Sequence, residues 1–289
     1  MKRILLLPVL ALAMAFGASA QKNATPDGAK RQFQVFGVAF YNLENLFDTI
    51  NNNGKYDAEF SPDRRGVDVG ALYNPRYFKF MNVVNSTLRV EGKPEFRTRD
   101  QMCVTGRMGN DTVDIIVNHW PSRLGGQEQS SPLREAAAAL CKHTADSIWK
   151  LRPNDGIIIM GDLNDDPQDK SCAKVLGAKK KPAGVEPHGF YNPFWEMLDR
   201  GIGTLAYNSS WNLFDQIIVS GTLLKDNTGE SQLHFFQPMV HNFEFLKDKE
   251  GNRVGYPRRT FSAGVFLNGY SDHFPTEILL RRAVAPRKR

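Results

Sequence analysis

Polar residues suited to phosphate and metal chemistry recur in this chain directly after apolar runs. Gly161-Asp162-Leu163-Asn164-Asp165-Asp166 follows the β-branched run of residues 156–160. Side chains alternate in direction along an extended backbone, so a carboxylate and an amide two residues apart aim at one locus. There Asp162 can orient or deprotonate a water, and Asn164 can hold a phosphoryl oxygen. Taken alone, the same residues read more readily as an Asx-rich turn or an oxygen-lined calcium loop. Ser271-Asp272-His273-Phe274-Pro275 offers a carboxylate to a metal on one side of the chain and an imidazole to a phosphate on the other, whereas an isolated Asp-His pair is more often a surface turn. Val117-Asn118-His119-Trp120-Pro121-Ser122-Arg123 ends a third run with a histidine, a position that is commonly only hydrogen-bonded structure. Asp215 lies within a fourth run, and Asn42 closes the first at Asn42-Leu43-Glu44-Asn45. No serine occupies a nucleophile-elbow pattern.

Strand ends are rigid positions from which short loops aim side chains into a shared cleft. Residues 35–41, 67–73, 101–107, 112–117, 156–160, 213–219 and 275–280 read as strands from their apolar, β-branched character. Ser131-Pro132-Leu133-Arg134-Glu135 opens a helix that continues through Trp149, with proline in its first turn. Many strands with few helices predict an α/β fold built as a layered sandwich. Neither an internal repeat nor an interdomain linker divides it. The expected organisation is a leader over 1–20, a flexible polar segment over 21–34, one domain over 35–282 and a basic tail over 283–289.

The leader is read from Met1-Lys2-Arg3, the apolar stretch of residues 4–16 and the small-x-small pattern Ala18-Ser19-Ala20 before Gln21. This is a secretory signal peptide, too short in its apolar part to span a bilayer. It predicts a secreted or periplasmic protein with no transmembrane segment. The 41% hydrophobic and 11% aromatic content fits a globular chain and excludes disorder. Two of the six net positive charges belong to Lys2 and Arg3 of the leader, leaving a modest basic excess that suits a phosphate-bearing substrate without demanding one. Cys103, Cys141 and Cys172 match no zinc spacing, are too few for a disulfide scaffold, and cannot all pair with one another. One disulfide plus a free thiol is compatible with an oxidising compartment.

In order, Asn-Leu-Glu-Asn, Asn-His-Trp-Pro-Ser, Gly-Asp-Leu-Asn-Asp, Trp211-Asn212-Leu213-Phe214-Asp215-Gln216-Ile217 and Ser-Asp-His resemble the endonuclease/exonuclease/phosphatase family, in its exported bacterial form, from about Val35 to Leu280. The resemblance implies a two-layer β-sandwich flanked by helices. It also implies hydrolysis of phosphodiester bonds assisted by Mg²⁺ or Mn²⁺. Asn42 then corresponds to the first-strand amide near the metal, and Asp272 to the late metal-site carboxylate. Asp162 corresponds to the residue that orients or deprotonates the nucleophilic water, and stands beside the metal as well. Asn164 holds the phosphate, and His273 hydrogen-bonds it with Asp215 fixing the imidazole. His119 is the second histidine of the deoxyribonuclease-like branch. Arg123, Arg134 and Trp211 are candidate substrate contacts, set against ordinary surface charge and packing.

The chain departs from the family at one place. The Glu-x-Glu-Asn segment that carries the principal metal ligand is missing, and Asp57-Ala58-Glu59-Phe60 runs directly into Ser61-Pro62-Asp63-Arg64-Arg65-Gly66-Val67-Asp68. Glu44, beside Asn42, and Glu59, in a loop, are the nearest replacements. Losing a strand in this way leaves backbone groups and an apolar face without cover. Asp68, an acid within an apolar strand, needs a partner, and His119 is the expected one. Three functions stay open: a phosphodiesterase, with nucleic acid among its substrates; an inactive phosphate- or nucleic-acid-binding homologue; and an enzyme acting on a small or lipid phosphoester. No basic stripe with interleaved aromatics marks a nucleic-acid specialist. A monomer is expected.

Overall fold

The computed structural model of the chain describes residues 23–24, 30–44, 69–207, 209–228, 231–262 and 265–284. Its main elements are β1 (Lys30–Phe40), β2 (Phe78–Ser86), β3 (Gln101–Met108), β4 (Asp111–His119), α1 (Gln127–Leu151), β5 (Gly156–Asp162), β6 (Asp215–Ser220), β7 (His234–Val240) and β8 (Thr276–Val284). One sheet runs β2-β3-β4-β5-β6 and continues through the two-residue strands Phe190–Tyr191 and Ala178–Lys179. The other runs Asn23–Ala24, β1, β8, β7. β4 and β5 pair in parallel, which requires a crossover, and α1 supplies it.

Alternation on the central strands builds two apolar layers. Ile158 and Met160 of β5 join Val113, Ile115 and Val117 of β4 and Ile217 and Val219 of β6 against Phe36, Val38, Ile278 and Leu280 of the second sheet. Ile157 and Ile159 face the other way with Ile116 and Ile218, onto Ala137, Ala138, Cys141, Ala145 and Trp149 of α1. A strand buried on both faces must therefore be a continuous apolar run, as residues 156–160 are. Each fully buried aliphatic side chain contributes roughly 1.5–3 kcal/mol. The small residues of α1 let it lie close to the sheet. The α/β sandwich expected from the sequence is the observed architecture.

Several boundaries differ. β1 begins at Lys30, so residues assigned to the flexible lead-in are strand. Residues 69–73 are not strand, and residues 67–68, including Asp68, lie outside the described residues. A strand needs a partner, and Gln101–Met108 pairs instead with Phe78–Ser86, entered through a turn in which Asn74 accepts from the Tyr77 and Phe78 amides. α1 starts one turn before the expected Ser131, because Ser130 seals that turn on the Gly126 carbonyl; Pro132 is accommodated inside. β7 carries Pro238 and a register shift between Phe235 and Gln237, features tolerated at a sheet edge that hide it from pattern reading. All three cysteines are free and buried, so no disulfide forms.

Among the described residues β2 has no partner on its outer side, and Phe80, Met81, Val83 and Val84 on it are exposed. There too, among the described residues, the outer edge of β1 pairs only with Asn23–Ala24.

At the end of β5, Gly161 has φ 151° and lies so close to β4 that an added Cβ would overlap the Asn118 carbonyl. Gly161→Ala is expected to lower stability by about 1–3 kcal/mol through this overlap and the backbone strain. A urea-unfolding midpoint equal to that of the unsubstituted chain would contradict it.

Candidate active site

Strand register places the expected residues in one row. His119 lies opposite Asp162 across the parallel β4–β5 pair, and Asp162 lies opposite Asp215 across β5–β6. On the second sheet β1 ends and β8 begins at the same end of the sandwich, Phe40 pairing with Thr276. Asn42 and Asp272-His273 thereby face the row from the other layer.

Asp162 is the centre. It is 2% exposed, its Oδ1 accepts from the Asn164 amide at 2.9 Å, and its Oδ2 accepts from Asn42 Nδ2 at 3.0 Å. His119 Nε2 is 3.4 Å from the same Oδ2, and His273 Nε2 is 3.9 Å away. Burial raises the Asp162 carboxyl, but His119, His273, the Asn164 amide and Asn42 outweigh it and hold the group below the ordinary carboxylate range.

The two imidazoles are driven apart. His273 Nδ1 bonds Asp215 Oδ2 at 2.6 Å, and the Thr204 hydroxyl donates to that same oxygen at 2.5 Å. Burial opposes charge on His273, yet Asp215 and Asp162 overcome it and raise its pKa to about 10. Burial pushes His119 down to about 4; Asp162 pulls the other way, while Arg99 and His273 add repulsion. At neutral pH the site therefore holds one cationic imidazole and one neutral one, the pairing that separates acid from base.

A second cluster adjoins the row. Glu44 Nα–H donates to Asn42 Oδ1 at 2.9 Å, and the Glu44 carboxylate receives Arg259 Nε at 3.2 Å and the Thr260 amide at 2.7 Å. Arg259 Nη2 also contacts Asp272 Oδ2 at 2.8 Å, while Asp272 Oδ1 is 3.9 Å from His273 Nε2. Ser271 ties the two loops by donating to the Asn42 carbonyl at 2.5 Å. Asp162, Asp215 and His273 present ligand atoms within 4.8 Å of one another, an acid/His cluster of the kind that holds a metal ion. Asn42 and Asp272 adjoin this cluster, while both Glu44 oxygens and Asp272 Oδ2 are engaged by Arg259 and the Thr260 amide.

Other expected contacts are spent elsewhere. Asn164, at φ 51°, donates its side-chain amide to the Trp120 carbonyl at 2.9 Å, so it shapes the loop and does not point that group at substrate. Arg123 pairs with Asp169 at 2.7 Å, bonds the Asn164 carbonyl at 2.8 Å and lies over Phe214. Arg134 is fully buried with its Nε 2.6 Å from Asp165. Both arginines thus brace the 162–169 loop against α1 and are not free for phosphate. Trp211 stacks on Phe274, beside His273. The expected Asp68–His119 pair lies outside the described residues; among these, His119 pairs with Asp162. Thr204, Arg99 and Arg259 carry no motif and escaped sequence reading, since only the fold brings them here.

Asp215→Asn removes the charge that holds the His273 proton. The His273 pKa, followed by NMR, is expected to fall from about 10 toward the usual value near 6.5. Because a raised imidazole pKa contributes stability below the unfolded value and loses it as pH climbs to the folded one, the substitution should also flatten the alkaline loss of stability between roughly pH 6.5 and 10. An unmoved titration would remove Asp215 from this role.

Comparison with known proteins gives the family. Residues 60–282 match the Endonuclease/Exonuclease/phosphatase family. No curated protein matches in sequence. Among solved structures, a truncated Caenorhabditis elegans TDP2 is similar at 15% identity and TM-score 0.43, over 71% of this chain and 67% of that one. A mannosyl-6-phosphatase of Bacteroides thetaiotaomicron is similar at 17% identity and TM-score 0.44, over 72% and 68%. D. rerio TDP2, whose structure contains a single-strand DNA product, is similar at 16% identity and TM-score 0.43, over 71% and 69%. With the family matched over most of its length, this chain belongs to the Endonuclease/Exonuclease/phosphatase family, whose members are phosphoester hydrolases.

Proposed function

We propose that the chain is an exported, divalent-cation-assisted phosphodiesterase. The observation that carries this reading is the row His119–Asp162–His273–Asp215, in which His119 Nε2 and His273 Nε2 lie 3.4 and 3.9 Å from the buried Asp162 Oδ2 and His273 Nδ1 bonds the buried Asp215. Asp162, ionised and held by Asn42 and the Asn164 amide, is too weak a base to take a proton outright and orients the attacking water. His119 Nε2, next to Asp162 Oδ2, takes that water's proton. His273, with Asp215 on Nδ1, turns Nε2 toward the cleft and donates to a non-bridging phosphoryl oxygen as negative charge grows there. Thr204 keeps Asp215 aligned, so His273 enters the reaction with its tautomer and ring plane set.

Asp162, with Asn42 and Asp272 adjacent, would hold the divalent cation, which when bound supplies charge neutralisation at the phosphoryl oxygens. Export rests on the leader pattern of residues 1–20, which lies outside the described residues; among those described, no helix is long and apolar enough to cross a membrane. Nucleic acid is the polymeric substrate class this reading favours over a small or lipid phosphoester, on the deoxyribonuclease-like pattern around His119.

The test uses the chain from Gln21 with Mg²⁺ or Mn²⁺, on bis-p-nitrophenyl phosphate, p-nitrophenyl phosphate and plasmid DNA. Diester hydrolysis is expected to exceed monoester hydrolysis. Asp162→Ala should abolish it, and His119→Ala should lower kcat by about 10²–10⁴-fold. Hydrolysis of the monoester alone would move the reading to a phosphatase. A folded chain without turnover would leave a binding homologue.

A further inference from the structure

Four aromatic rings form a line beside the loop that carries Asp272 and His273. His241 stacks on Phe243 with centroids 5.3 Å apart, Phe243 stacks on Phe245 at 5.6 Å and 10°, and Phe245 meets Tyr270 edge-on at 5.6 Å. Both ends of the line are tied to that loop: Tyr270 directly precedes Ser271, and the His241 amide donates to the Pro275 carbonyl at 2.8 Å. Tyr270 and His273 are three positions apart, so their Cα atoms lie within about 11 Å of one another. Arg258 joins the two segments, its amide donating to the Leu246 carbonyl at 2.8 Å and its carbonyl accepting from the Tyr270 amide at 2.9 Å. Burial does not account for the rings. Leu246 is buried, whereas Phe243, Phe245 and Tyr270 are 38%, 48% and 52% exposed. A contiguous apolar patch left in water marks a place where something binds.

We propose that Phe243, Phe245 and Tyr270 are a stacking platform for unpaired bases next to the scissile phosphate, so that the chain takes single-stranded nucleic acid in preference to duplex. This rests on the reading of the site as a phosphodiesterase acting on nucleic acid, and narrows it. Near-parallel rings at this separation are offset, so each leaves part of its face open, and an open aromatic face takes a base of any sequence. A duplex keeps its bases stacked on one another and offers the rings no free face. Residues 241–260 carry five lysines and arginines against three acids, a balance that suits a polyanion. The side chain of Glu244, 84% exposed and between the two phenylalanines in sequence, would lose its water against a lipid surface but keeps it beside a strand.

The experiment reads binding of a fluorescein-labelled oligothymidylate to the chain from Gln21, by anisotropy in EDTA so that no strand is cut. F243L/F245L keeps apolar area and removes the rings. It is expected to weaken binding on the order of tenfold for each ring, while F245W retains it. The same strand paired with oligoadenylate should bind more weakly than the single strand. Unchanged binding by F243L/F245L, equal binding of duplex and single strand, or no binding by the unsubstituted chain overturns the proposal. Binding to phosphatidylcholine vesicles that F243L/F245L abolishes, with strand binding intact, overturns it in favour of a lipid surface. Should F243L/F245L fail to fold by circular dichroism, F245W decides. Its added indole emission should be quenched by oligothymidylate, and unquenched emission overturns the proposal equally. Because no readout uses turnover, a chain that hydrolyses no phosphoester but loses the strand with its rings upholds this inference while removing the hydrolytic reading. A chain that hydrolyses bis-p-nitrophenyl phosphate but binds the strand equally without the rings removes this inference alone.

Discussion

A carboxylate buried between two sheets needs compensation from both, and Asp162 receives it from both. Asn42 reaches it from the end of β1, the Asn164 amide from its own loop, His119 from the neighbouring strand, and His273 from the segment before β8. An isolated buried carboxylate would instead take up a proton or unfold its surroundings. The packing of the two layers is thus tied to the ionisation of one group. Residues 158, 160, 217 and 219 on one side and 36, 38, 278 and 280 on the other press the sheets together at the depth that brings these donors into range.

Behind the row stands a second arrangement of charge. Arg134 and Arg123 hold Asp165 and Asp169, Asp166 accepts the Leu213 amide, and Gln216 donates to the Asp165 carbonyl. The loop that follows Asp162 is therefore fastened to α1 on one side and to the approach of β6 on the other. Breaking a buried pair such as Arg134–Asp165 costs about 3–5 kcal/mol, which makes the loop rigid at the point where water must be aimed.

Among the described residues β2 ends one sheet with apolar side chains exposed, and β1 pairs on its outer edge only with Asn23–Ala24. The row comes from β4, β5, β6 and the approach to β8, away from both of these edges. Beside it, Glu44 and Asp272 share one arginine.

Much of this was legible in the residues alone. The both-faces-buried run of β5 announced a central strand, and polar clusters after β1, β4 and β5 and before β8 announced a cleft at one end of a sandwich. Asn42, His119, Asp162, Asp215, Asp272 and His273 were all readable, because a motif states residue type and spacing, and those determine local direction. Residues 69–73 were misread as strand and β7 was missed, because pairing partners, not local propensity, decide strand formation at an edge. For Asn164, Arg123 and Arg134 the sequence left two readings open, because a polar side chain next to a site can face either the site or the scaffold, and their partners here are scaffold groups. Thr204, Arg99 and Arg259 came with no signal at all. Contacts between residues 11, 20 and 215 positions apart depend on how two sheets register and stack. The opposite protonation of two histidines depends on burial and neighbouring charge, so it too was decided only by the tertiary structure.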